Sequence, residues 1–295
     1  MRRGALLSFS LSMLIFGSIG VFRRYIGLPS GLIAAVRGFV GVLFLVGVML
    51  VLRKRPSSAA IKKNLLPLIL SGVAIGVNWI LLFESYAYTT VATATLCYYM
   101  APVLVVLASA VFFRERIGGA RLLAVLAALL GMVLVSEVWA MKPGSGSAIG
   151  ILLALGAAVL YASVTLINKR ITGIEPYDKT VVQLTAASAV ILPYTIFFEK
   201  IDPEALNPTA LILLLTVGIL HTGVAYALYF GSVERLPSTS IAVLSYLDPI
   251  LSILLSALLL GEAMTPFGIV GAVLIILSTL FSELLPYIGE RSGKK

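Results

Sequence analysis

The sequence predicts an all-α integral membrane protein, with ten transmembrane helices arranged as two inverted five-helix repeats. Three observations predict it. Hydrophobic residues make up 60% of the chain and charged residues 12%, against about 25% charged in soluble domains. The apolar stretches run roughly 20 residues, the length a helix needs to cross a hydrocarbon core of about 30 Å. A block that begins near Tyr86 returns, about half a chain later, near Gly231. Short strand-like alternation is missing, which sets a membrane β-barrel aside.

The segments follow in order. The first runs from about Gly4 to Phe22; Arg2 and Arg3 precede it, but no A-x-A cleavage pattern follows, so it reads as an uncleaved helix. Leu28-Pro29-Ser30 opens the second, which stops at Arg53-Lys54-Arg55. The third covers about Asn64 to Ala87 and the fourth about Val91 to Phe113. Gly118-Gly119 turns the chain into the fifth, about Ala120 to Val138. Pro143-Gly144-Ser145-Gly146-Ser147 then reads as a flexible linker, dividing a first repeat (1–142) from a second (148–295). The sixth and seventh segments are about Ala148 to Asn168 and Lys179 to Phe198. Asn207-Pro208 is a cap followed by a first-turn proline, opening the eighth, which ends near Phe230. The ninth covers about Ser238 to Leu260. Thr265-Pro266 is a second cap and proline, opening a tenth that ends near Pro286.

The loops set an orientation. With the N-terminus cytoplasmic, seventeen Lys and Arg fall inside and only Arg23, Arg24, Lys142 and Lys200 outside. That bias fits the positive-inside rule and places both termini in the cytoplasm. It also reads the net charge of +9 as a membrane signature rather than a nucleic-acid surface.

The two halves correspond by number. Pro102 maps to Pro249 and Glu115 to Glu262 at one offset (249 − 102 = 262 − 115 = 147), and Tyr99 and Phe83 reach Tyr246 and Phe230 at the same offset. Arg23-Arg24 and Arg37 match Lys169-Arg170 and Gln183 at 146. Five spans is an odd number, so the second half enters the bilayer upside down. Inverted repeats of this kind build carriers whose central site opens to each side in turn.

Several chemistries lack their residues. One Cys, one His and no HExxH or CxxC pattern leave nothing for a metal site, and no P-loop supplies ATP chemistry. No cofactor is implied. The expected partners are a small-molecule solute, the lipid bilayer and, as a coupling ion, protons.

Polar and aromatic side chains within the spans are the candidates for solute contact. Asn78, His221 and Asp248 fall near the middle of their segments, where polar groups are costly. Asp248 is read as a proton acceptor or an amine ligand, or else as a cap on carbonyls freed by Pro249. His221 is a proton relay or an interhelical hydrogen bonder. Asn78 is a solute contact or interhelical glue. Arg37 lies roughly 10 Å below the start of its segment, suited to a bidentate grip on carboxylate or phosphate. Glu84 sits at similar depth. The two are expected either to pair, as an outer gate or as part of the substrate path, or to snorkel separately to the interface. Trp79, Tyr99, Tyr161 and Tyr246 offer amphipathic walls. Pro102 and Pro249 each remove a helix bond, from the carbonyls of Tyr98 and Ser245, and predict kinks that either flex as gates or stay fixed. Glu115 and Glu262 end equivalent helices and read as ties to nearby backbone or Arg.

Ala101-Pro102, Arg114-Glu115 and Gly131, with Pro249, Leu260-Gly261-Glu262 and Gly271, resemble the EamA domain, two copies of which form ten-helix transporters of the drug/metabolite transporter superfamily. Phe16-Gly17-Ser18 is similar to the family's aromatic-Gly-Ser motif in the first helix, and Asn78-Trp79 adds to the likeness. The resemblance implies an exporter of amino acids or related metabolites, of the YddG type, in a bacterial plasma membrane. It also implies a central cavity lined by segments one, three, four, six, eight and nine. Rival readings are an importer of sugar phosphates, nucleotide sugars or quaternary amines, a membrane-embedded enzyme, and a scaffold without transport.

Overall fold

The computed structural model describes residues 2–113, 118–140, 146–233 and 235–292. Glu115, its neighbours Arg114 and Arg116, and linker residues 143–145 lie outside the described residues. Among the described residues, ten helices are long and apolar enough to cross a membrane: Arg3–Tyr25, Ser30–Val51, Leu65–Tyr88, Val91–Val111, Gly119–Ser136, Ser147–Asn168, Pro176–Phe198, Pro208–Val233, Val243–Leu260 and Pro266–Leu285. They are called spans one to ten. No strand occurs among the described residues.

The start signals act as their chemistry dictates. Asn207 accepts the Ala210 N–H at 2.9 Å while Pro208 fills the first helical position. Thr265 accepts the Gly268 N–H at 3.1 Å ahead of Pro266. Thr90 caps span four through the Thr93 N–H at 3.0 Å. Span seven begins at Pro176, three residues before the expected Lys179, because Pro176 itself opens the helix. Ser147, expected in the linker, already belongs to span six. A short helix, Ser58–Lys63, which the sequence reading does not separate, joins spans two and three; the Ser57 N–H before it donates to Asp178 at 2.9 Å.

The packing between halves is reciprocal. Span one packs on eight and nine, and span six packs on three and four. Span two packs on eight, and span seven on three. The pairs two–seven, four–nine and five–ten are their own counterparts. At five–ten the backbones touch. A Cβ on Gly131 would lie 2.7 Å from the Gly271 carbonyl oxygen, and one on Gly271 2.6 Å from that of Gly131. Only residues without a side chain allow so close an approach. Leu7, Leu152, Phe197 and Leu258 stand more than two-thirds exposed on the outer surface, where lipid would cover them.

Candidate functional site

Spans four and nine are each interrupted just ahead of their proline. Span four consists of helices Val91–Tyr98 and Ala101–Phe113, and span nine of Ser238–Ser245 and Leu247–Leu260. At the first joint the Tyr99 N–H reaches Thr95 O at 2.9 Å, and the Met100 N–H tightens onto Cys97 O at 3.1 Å. At the second the Tyr246 N–H likewise turns back only three residues, to Val243 O. Pro102 and Pro249 therefore sit in the first turn of the following helix, where a missing N–H costs nothing. This corrects the expectation of continuous helices bent at the prolines. The two joints meet: the Tyr99 and Tyr246 rings lie 6.3 Å apart, and Thr95 bonds Ser252 at 3.0 Å.

Asp248 stands in the first turn of the second piece of span nine, where a helix N-terminus favours an acid. Its carboxyl faces the Tyr99 hydroxyl. Its backbone packs hard on span one, since a Cβ at Gly17 would fall 2.4 Å from the Asp248 carbonyl oxygen.

Across the bundle, Arg37 is buried at 4% exposure. Its guanidinium carbon lies 4.0 Å from the centre of the Trp79 ring and 5.3 Å from that of Phe83, and its Nε donates to Thr222 Oγ1 at 3.0 Å. No carboxylate pairs with it among the described residues. The expected Arg37–Glu84 pair does not form. Glu84 accepts from the Ser30 hydroxyl at 2.6 Å, and Ser30 accepts from Arg23 at 2.9 Å, so the cation nearest Glu84 in this chain of bonds is Arg23.

Between these charges lie tyrosines. Tyr86 and Tyr98 are each within electrostatic reach of both Arg37 and Asp248. Tyr98 packs on Tyr161 at 5.6 Å, and Phe16 meets Tyr226 at 5.4 Å. Ring pairs thus join span one to span eight, span four to span six, and span four to span nine.

His221 is fully buried in a π-helical stretch, Val217–Val224, that interrupts span eight; such bulges recur at functional sites. Its Nε2 lies 2.9 Å from the Ser18 hydroxyl and its ring 4.7 Å from Phe22, tying span eight to span one. Asn78 donates to Ala157 O at 2.6 Å, joining span three to span six.

One cavity reaches this cluster through Tyr161. A volume of about 360 Å³ is lined by spans four, five, six and ten. Pro102 and Tyr161 border it, as do Ser109, Arg121, Lys169 and Glu283. Among the described residues, spans one, three, eight and nine contribute none of its wall. Arg121, Lys169 and Glu283 stand at one set of span ends, at the Glu283 face. The opposite face is tied shut around Glu262. That carboxylate pairs with Arg24 at 2.9 Å, accepts the Val91 N–H at 2.8 Å and is bonded by Ser256. Arg24 also donates to Tyr86 O at 2.6 Å. Glu262 thus ties backbone and Arg together, as its place at a helix end suggests.

Sequence reasoning passes over Ser109, Arg121 and Glu283. A signal exists: Ser278, Thr279, Ser282 and Glu283 recur at helical spacing on one face of span ten, and all four line the cavity. No cluster of His, Cys, Asp and Glu able to hold a metal occurs among the described residues.

Comparison with known proteins gives a consistent picture. The model of the EamA-like transporter family matches residues 3–137 and again 148–284. The chain is 31% identical over 293 residues to the uncharacterized transporter YxxF of Bacillus subtilis (strain 168), covering 98% of this chain and 91% of that protein. It is 26% identical over 267 residues to protein RarD of Salmonella typhi, covering 88% and 87%. A solved crystal structure superposes with a TM-score of 0.66 at 21% identity, covering 97% of this chain and 98% of that one. At that identity the likeness speaks for the fold.

Proposed function

The chain belongs to the EamA-like transporter family, and from that premise we propose that it is a secondary transporter exporting small zwitterions, amino acids or related amphipathic metabolites, by alternating access. One observation carries the choice of solute. Arg37 and Asp248 place a cation and an acid inside the membrane, each within electrostatic reach of Tyr86 and Tyr98. A buried cation without a counter-ion is costly. A solute carboxylate relieves that cost in a conformation that opens the path to Arg37, while Asp248 receives the solute ammonium or a proton. Phosphorylated solutes fit less well, since they call for several cations at this depth and Arg37 alone supplies one.

The positive-inside bias sets the orientation of this reading. Both termini are cytoplasmic in a bacterial plasma membrane. The Glu262 face is then extracellular and closed, and the Glu283 face cytoplasmic. The inverted halves exchange conformations to reverse that state. The test is flux in proteoliposomes loaded with pooled neutral amino acids, with and without a pH gradient. Saturable efflux lost in Arg37→Gln supports the proposal. Movement of phosphorylated solutes but not amino acids overturns it.

A further inference from the structure

The cavity between spans four, five, six and ten has features that a packing void lacks. Voids between helices are apolar, and polar groups on their walls find partners. Here Ser109 is 4% exposed, lines the cavity, and its Oγ has no hydrogen-bond partner. Glu283 and the cations Arg121 and Lys169 share the same space, yet no ion pair joins them among the described residues. Opposite charges held apart across a cavity are met together by a ligand that carries both signs. The volume, about 360 Å³, lies within the range of about 300 to 1,000 Å³ for small-molecule sites.

The position adds direction. Arg121 lies near the start of span five, Lys169 follows span six directly, and Glu283 is close to the end of span ten. Tyr161 is eight residues before Lys169, or about 12 Å deeper along a helix. It lines the same cavity and packs on Tyr98 in the central cluster. Charge therefore gathers at the rim, and the inner end reaches the joint of span four at Pro102.

We infer that this cavity is a second binding site, a vestibule that takes a zwitterionic amino acid with its ammonium on Glu283, its carboxylate on Arg121 and Lys169, and its body against Val103, Val106 and Val125, before the solute passes Tyr161. The inference rests on the zwitterion reading above, but it concerns a different set of side chains.

Its test uses a thiol on the more open part of the wall. Cys97 is the single native cysteine and is buried, whereas Thr165 lines the cavity and is only partly buried, so Thr165→Cys in the purified full chain is a clean reporter for a neutral maleimide, with the parent protein as background. The probes are pooled neutral L-amino acids, their N-acetyl derivatives, which lack the ammonium, and their amides, which lack the carboxylate. The free amino acids slow labelling about fivefold at about four times Kd, as mass action requires, and the two derivatives do not. Glu283→Gln in the Thr165→Cys background abolishes the protection, and Arg37→Gln leaves it intact. The vestibule is overturned if the introduced thiol does not react, if the amino acids give no protection, if protection survives Glu283→Gln, or if it is lost in Arg37→Gln. Amino acid flux without protection removes the vestibule alone; protection without flux removes the transport reading and leaves the site.

Discussion

At the scale of single residues, charge and contact separate side chains that look alike in the sequence. Arg37, His221 and Asn78 all read as polar groups at depth. The structure gives His221 and Asn78 protein partners on other spans and leaves the Arg37 charge with aromatic faces and one hydroxyl. Cation–π contact is worth about 2 kcal/mol when desolvated, well short of the several kcal/mol that burying a charge costs. Arg37→Met is therefore expected to keep or raise the melting temperature while abolishing solute flux; thermal unfolding and proteoliposome assays check the two halves of that statement. Asp248→Asn is expected to weaken flux driven by a pH gradient without unfolding the protein, and unchanged flux removes Asp248 from coupling. Gly17→Val should destabilise by about 1–3 kcal/mol, as overpacking does, because its Cβ meets a backbone carbonyl at 2.4 Å rather than a side chain that can turn aside. A denaturant or thermal series on solubilised protein measures it. The sequence marks Arg37 and Asp248 as candidates because charge at depth is visible from position alone. It could not mark their partners: Thr222 lies 185 residues from Arg37, and nothing local encodes that meeting.

At the scale of elements, helix existence was legible and helix continuity was not. Apolar length and cap-plus-proline pairs locate the ten spans within a few residues. The breaks in spans four and nine escaped because a proline announces a missing N–H but not the turn that accommodates it. The tightened turns at Met100 and Tyr246 put each proline at a helix start. Pro102→Ala and Pro249→Ala restore an N–H just beyond each joint, which lets the two pieces join into one stiffer helix. Turnover is expected to fall several-fold in either variant while solute binding persists. Parallel measurements of flux and equilibrium binding distinguish this from simple misfolding, and equal turnover makes the joints static features.

At the scale of the whole molecule, one face is held by ionic and hydrogen bonds and the other admits a cavity. Closure at the first rests on Glu262, which joins the ends of spans one and nine to the start of span four. Glu262→Ala frees the Val91 N–H and Arg24 together. A cysteine placed at Ser252, now 3% exposed, is expected to react about tenfold faster with a small thiol reagent in that background; labelling rates give the answer directly. The 147-residue offset made the duplication readable, but the cavity's asymmetric placement was not. Repetition in sequence says which residues correspond, but not which flank holds a cavity, and here it is the flank of Glu283.

The self-paired contacts carry a consequence of their own. Spans two and seven, four and nine, and five and ten meet their own counterparts, with Gly131 and Gly271 touching backbone to backbone. Each is a contact that a lone five-helix polypeptide would make with an antiparallel copy of itself, the isologous interface of a twofold dimer. Cut at its mid-chain joint and expressed as two polypeptides, the protein should reassemble along that seam.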